Sequence, residues 1–212
     1  MRNKVFDYSF LALGLVIQVV TFLFMPEHAW LSVVSGCLGV CSVCLAAQGN
    51  IYTYLFGFAQ VITYTYLCWT QRFYGEIAIN GYYFVTMIYG VYAWKKRLKR
   101  DSERTEVRPR KLTAPVLAVI IGLTVLGSGL VGWGLASWTD DTQPYLDAFT
   151  TVPALVAQVL MILVYREHWF IWLAVDVLSV ALWLRAGDYC MTAQYAFWCA
   201  NCLYGLRRWR KI

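Results

Sequence analysis

Residues 74–96, YGEIAINGYYFVTMIYGVYAWKK, and residues 189–211, YCMTAQYAFWCANCLYGLRRWRK, are two versions of one segment. Aligned without a gap, Tyr74 meets Tyr189, Ala78 meets Ala193, Tyr89-Gly90 meets Tyr204-Gly205 and Trp94 meets Trp209, and both close on a basic pair. Aromatic and basic anchors recur wherever a helix leaves a bilayer, so the ends alone prove little. The common spacing across the whole segment points to an internal duplication.

Around these segments the chain is built for lipid. Of its 212 residues 60% are hydrophobic and 14% charged, where a soluble domain carries about 25% charged residues. The apolar residues come in long blocks, approximately 8–25, 30–47, 51–70, 77–94, 113–137, 149–165, 169–185 and 189–206. Each block has the length of a tilted membrane-crossing helix. The expectation is an all-α polytopic membrane protein of about eight transmembrane helices, a single transmembrane domain across 1–212, with no room for a soluble catalytic domain. The first block lacks a cleavage site and is expected to stay as a helix.

Charge sets the orientation. The loop 95–111 holds nine Lys or Arg, the tail adds Arg207, Arg208, Arg210 and Lys211, and the N-terminus offers Arg2 and Lys4. Eight spans with a cytoplasmic N-terminus put all three segments and Arg166 inside, with Asp140 and Asp141 outside. Arg72 and Arg185 are the small exceptions. Topology accounts for the basic loop, so no nucleic-acid partner is expected.

With halves at 30–94 and 149–206, each repeat starts outside and ends inside. The span 113–137 restores direction between them, and 8–25 is an extra N-terminal helix. Parallel three-helix repeats in a 3+1+3 plan are the SWEET-like architecture, which builds its substrate site at the repeat interface. The linker span is rich in Gly and Ser (Gly122, Gly127, Ser128, Gly129, Gly132, Gly134) and suits close helix packing.

Polar side chains inside the spans are few, and Asp176 in WFIWLAVDVLSVALWL (169–184) is the most telling. A carboxylate at such depth costs several kcal/mol unless it faces a cavity, a partner or a ligand. Trp172 lies one turn away on the same helical face, and an indole beside a carboxylate suits a flat cationic heteroaromatic. Gln60, Asn80, Gln158, Gln194 and Asn201 are amides at similar depth, and Tyr83 and Trp198 offer stacking. Trp30, Trp69, Trp94, Trp138, Trp169 and Trp209 read as interfacial belt residues. His28 and His168 sit at helix ends, and the remaining acids, Glu76, Asp147 and Asp188 among them, lie in loops or at rims. Cys199-x-x-Cys202 sits mid-helix with no second pair nearby and reads as packing. Neither a catalytic constellation nor a phosphate loop is visible; no enzyme activity, cofactor or metal is expected.

The stretch NIYTYLFGFAQVITYTYLCWTQRFYGEIAINGYYFVTMIYGVYAW, followed later by DAFTTVPALVAQVLMILVYREHWFIWLAVDVLSVALWL, resembles the PnuC-type vitamin transporters over nearly the whole chain. Its most specific parts are the YGxYAW end of span four, the Asp-Ala-Phe start of span six and a Trp-x3-polar motif in span seven. The resemblance implies a SWEET-like fold, uncoupled uptake of a water-soluble vitamin trapped by intracellular phosphorylation, and a homotrimer in the bacterial cytoplasmic membrane.

Nicotinamide riboside transporters of the family carry Asn where this chain has Asp176. They commonly have Gln at the position of Asn80, and an acid can stand where Gln194 is. These departures favour the sister branch, PnuT, which resembles PnuC but takes thiamine. The expectation is therefore thiamine, with nicotinamide riboside as the alternative and riboflavin as another vitamin. The vitamin would be held between two rocking bundles by Trp172 and Asp176 from one and Asn80 and Gln60 from the other. Pro153 either bends the sixth span or starts it. A proton-coupled symporter and a non-transporting membrane binding protein are the remaining readings.

Overall fold

The computed structural model describes residues 4–24, 30–70, 74–100, 106–139, 143–186 and 189–210. His28, Arg72, Asp140, Asp141 and Asp188 lie outside the described residues. Among the described residues eight helices follow one another: α1 (Lys4–Leu23), α2 (Trp30–Ala47), α3 (Thr53–Thr70), α4 (Tyr74–Arg100), α5 (Ala114–Trp138), α6 (Pro144–Ile162), α7 (His168–Ala186) and α8 (Tyr189–Trp209). No strand occurs among the described residues, only two isolated bridges. Among the described residues three helices, α2, α5 and α6, are long and apolar enough to cross a membrane on composition alone. The others are diluted by Tyr, Trp and amides, the residue types of a polar path or an interface.

The helices fall into two compact units, residues 1–108 and 109–212. In the first, α1 packs on α2, α2 on α3 and α3 on α4; in the second, α5 packs on α6, α6 on α7 and α7 on α8. Each unit is thus one helix followed by three.

Boundaries depart from the hydropathy blocks for physical reasons. Helix α4 runs to Arg100, so the first part of the expected basic loop, 95–100, is helical: Lys and Arg are good helix formers and the backbone ladder does not stop where the lipid does. Helix α6 starts at Pro144, five residues early, because proline suits the first helical turn; Pro153 is therefore inside the helix and does not start it. Trp30, Trp69 and Trp138 are exposed as belt residues should be, at 71%, 66% and 78%. Trp94, Trp169 and Trp209 are instead core residues, at 0%, 3% and 2%. A belt indole and an indole wedged between two helix ends look alike in sequence; only packing separates them.

The corners explain those buried indoles. In the first unit the Tyr54 ring meets Trp94 edge-on at 5.2 Å and 82°, and it lies against Gly90 of α4. In the second the Trp169 ring meets Trp209 edge-on at 5.9 Å and 84°, and it lies against Gly205 of α8. The partners differ by one constant separation, 115 positions (54 to 169, 90 to 205, 94 to 209). The turn before α3 carries Gly49 at φ +68° and the turn before α7 carries Val164 at φ +64°, again 115 apart.

The extended segment 106–112 fastens both turns. Val107 N–H donates to the Gly49 carbonyl at 3.0 Å, and Arg110 N–H donates to the Val164 carbonyl at 2.7 Å. The Arg110 guanidinium lies over the Tyr165 ring, 4.6 Å from its centre. Leu112 N–H donates to Glu167 Oε2 at 3.1 Å, and Arg166 Nε holds the other oxygen of that buried carboxylate at 3.3 Å. On α5 the small side of the helix is the buried one: Thr124, Ser128 and Gly132 face α6, where Gly132 lies against Tyr145. Gly122 and Gly129 have no neighbour within 4 Å of where a Cβ would stand.

Candidate functional site

Asp176 is a buried carboxylate with little to satisfy it. It is 3% exposed, and its one hydrogen bond among the described residues comes from the Cys202 thiol on α8, Sγ to Oδ2 at 3.3 Å. No cation of the described residues pairs with it. A thiol is a weak donor, and a buried charge that lacks a partner is costly. Such a group is a standing invitation to a cation or to strong donors.

Helical spacing sets what stands beside it. Trp172, one turn before Asp176, is half-buried. Ser179, almost one turn after, is 5% exposed, and its hydroxyl makes no hydrogen bond among the described residues. On α8, Gln194, Trp198 and Asn201 share one face by their spacing of four and three, and Cys202 adjoins it. Asn201 is buried, and Trp198 meets Tyr195 edge-on at 4.9 Å with its buried Nε1 lacking an acceptor. Gln158 of α6 is 6% exposed and its amide, like that of Gln194, bonds nothing among the described residues. The second unit therefore carries a carboxylate, a hydroxyl, two amides and an indole N–H that bond little or nothing among the described residues, which is unusual for those of them that are buried.

The first-unit candidates are placed differently. Asn80 is buried on α4, and Tyr83 stands one turn later beside Tyr82, with ring centres 5.8 Å apart. The side chain of Gln60 lies toward Gly39 of α2, while its backbone carbonyl accepts from Thr63. At the constant separation of 115, Asp176 corresponds to Val61 rather than to Gln60, and Trp172 to Gly57. His168 is fully buried, with Nδ1 2.6 Å from the Tyr165 carbonyl and its ring against Trp169 and Trp209; it belongs to the corner. A cavity of about 430 Å³ opens elsewhere, between the start of α5 and Arg166, Glu167 and Phe170.

Sequence reasoning missed Ser179 and misjudged Cys202. The signal for Ser179 was its place three residues after Asp176, on the same face. Cys202 reads as a small packing residue until its thiol is seen against the carboxylate.

Comparison with known proteins decides the family. A family model described as "Nicotinamide mononucleotide transporter" matches residues 29–211. The chain is 33% identical to the nicotinamide riboside transporter PnuC of Neisseria mucosa, over 98% of this chain and 81% of that one. It belongs to the PnuC family of membrane transporters. It is also 31% identical to PnuC of Haemophilus influenzae, over 99% of this chain and 91% of that one. The riboflavin/roseoflavin transporter RibM of Streptomyces davaonensis is 25% identical over 89% of this chain and 88% of its own. Among solved structures, the crystal structure of the vitamin B3 transporter PnuC matches with a TM-score of 0.80 and 32% identity, covering 97% of this chain and 91% of that one. The chain is accordingly a multi-pass membrane protein of the PnuC fold.

The expectation of thiamine is corrected by the PnuC relatives, which are named for nicotinamide riboside. The physical reason lies in what the departures can discriminate. A carboxylate selects a cation, and both vitamins are cations. Exchanging Gln for Asn keeps the same amide donor and acceptor, so that departure does not favour thiamine over nicotinamide riboside.

Proposed function

We propose that this chain carries nicotinamide riboside across the bacterial cytoplasmic membrane, with Asp176 as the counter-ion of its pyridinium ring. The observation that carries the reading is a membrane-buried carboxylate whose only partner among the described residues is a thiol, in a chain whose relatives are named nicotinamide riboside transporters. The ring is flat, aromatic and positively charged, and Trp172 offers an indole face one turn from the carboxylate. Ser179, Gln158 and Gln194 have the uncommitted polar atoms that ribose hydroxyls need, and the Trp198 Nε1 donor lacks an acceptor. Asn201 of α8 is a further ligand contact in this reading. The work done on the ligand is translocation, not chemistry. Both termini are placed in the cytoplasm on the strength of the basic residues at Lys95–Arg100 and Arg207–Arg210, and the assembly is taken as a homotrimer by family resemblance.

Reconstituted into liposomes, the purified chain is expected to take up labelled nicotinamide riboside saturably, and light scattering on the same sample to read three copies. Asp176→Ala should weaken uptake at low substrate at least about tenfold. A wild-type protein that moves thiamine and not nicotinamide riboside would overturn the assignment, and an unimpaired Asp176→Ala would remove Asp176 from it.

A further inference from the structure

The first unit supplies an internal control for the contact between Asp176 and Cys202. At the constant separation of 115, Asp176 corresponds to Val61 of α3 and Cys202 to Met87 of α4. Val61 and Met87 are buried too, at 5% and 7%. The same helix pair is therefore built in the first unit from two apolar side chains with no polar contact at this level. Packing of the three-helix repeat does not call for a carboxylate and a thiol here.

Nor is the pair good glue. A thiol donates weakly, and an Asp buried for the sake of one such bond is a net cost. The geometry suits another task. A carboxylate turns about its Cβ–Cγ bond, and a donor fixed on one oxygen sets the direction of the other. The thiol sits on Oδ2, from α8, and leaves Oδ1 without a protein partner among the described residues. Supporting groups of this kind orient the residues that touch a ligand.

We infer that Cys202 is a positioning residue that aims the Asp176 carboxylate at a cationic ring, and that the two together make the site select charged pyridinium nucleosides over neutral ones of the same shape. This rests on the reading of Asp176 as the ligand's counter-ion. Cys202 itself does not touch the ligand. Nicotinamide riboside and its reduced dihydro form separate the effects, since they differ by a hydride in the ring and one unit of charge.

The test is calorimetric binding of both nucleosides to the full-length, detergent-purified chain and to Cys202→Ala, Cys202→Ser and Asp176→Asn. The wild type should prefer the cation, and Asp176→Asn should abolish the preference. Cys202→Ala should weaken the cation about tenfold, as loss of a hydrogen bond to a charged group does, and leave the neutral form within about twofold. Cys202→Ser, which restores a donor, should recover the preference. If Cys202→Ala does not purify, Cys202→Val keeps volume without a donor and takes its place.

A donor-less variant that weakens both nucleosides equally, or neither, overturns the role of Cys202 while the Asp176 reading stands. A serine variant that behaves like alanine also overturns it. A wild type without charge preference, or an Asp176→Asn variant that keeps one, overturns the counter-ion reading and this inference with it.

Discussion

At Gly205 a hydrogen atom in place of a side chain is what lets the Trp169 indole reach α8. A Cβ there would stand 2.5 Å from Cε2 and 2.6 Å from Cζ2 of the ring, and a buried indole that also meets Trp209 has little room to retreat. Gly205→Ala is expected to destabilise the folded chain by about 1–3 kcal/mol through overpacking. Gly81→Ala, with nothing within 4 Å, should be neutral or gain up to about 1 kcal/mol from helix propensity. Thermal unfolding of the two variants in one detergent checks the contrast; equal melting temperatures would mean that the indole yields. Sequence reveals residues of this kind unevenly. Asp176 stands out because charge in an apolar run is rare and expensive. Cys202, Ser179 and the burial of Trp169 do not, since each has an ordinary role at the same position, and only the neighbour across the helix pair tells which applies.

Among the elements, the segment 106–112 holds the turn before α7 through Glu167. This carboxylate is 4% exposed and accepts from the Leu112 backbone and from Arg166. Glu167→Ala leaves that N–H without its acceptor. Loss of a hydrogen bond to a charged group makes local opening about tenfold or more frequent. Limited trypsin digestion should then cut at Arg110 and Lys111 correspondingly faster than in the wild type, while an unchanged rate would show that the backbone bonds of Arg110 suffice. The number of helices was legible because lipid imposes long apolar blocks. Their ends were less so. Hydropathy reports where the bilayer stops, whereas α4 goes on through Lys95–Arg100 and α6 begins at Pro144 for reasons of backbone hydrogen bonding.

At the scale of the molecule, one constant separation recurs in ring pairs, close-packed glycines and left-handed turns, from Gly49 and Val164 to Trp94 and Trp209. It supports an origin by duplication of a parallel unit. The duplication was readable from 74–96 and 189–211 alone, whereas the substrate was not: one carboxylate fits either of two cationic vitamins. An even number of spans puts both termini on one side. Fluorescent-protein fusions at each end should both glow in a bacterial host, and periplasmic alkaline phosphatase fused at either end should stay silent; an active phosphatase fusion would reverse the orientation proposed here.

The turn before α7 has a hereditary side. A left-handed backbone costs an L-residue about 1–2 kcal/mol, and a β-branched one is the poorest choice for it. Glycine at 49 avoids the cost, while valine at 164 bears it. The two turns share a carbonyl held from outside by the segment 106–112, so the conformation is imposed by a neighbour and not by the residue that adopts it. A lineage that keeps the neighbour is free to let the turn residue drift. Relatives are then expected to vary at both positions while retaining an extended stretch at 106–112, and glycine at both positions in every other member of the family would speak against it.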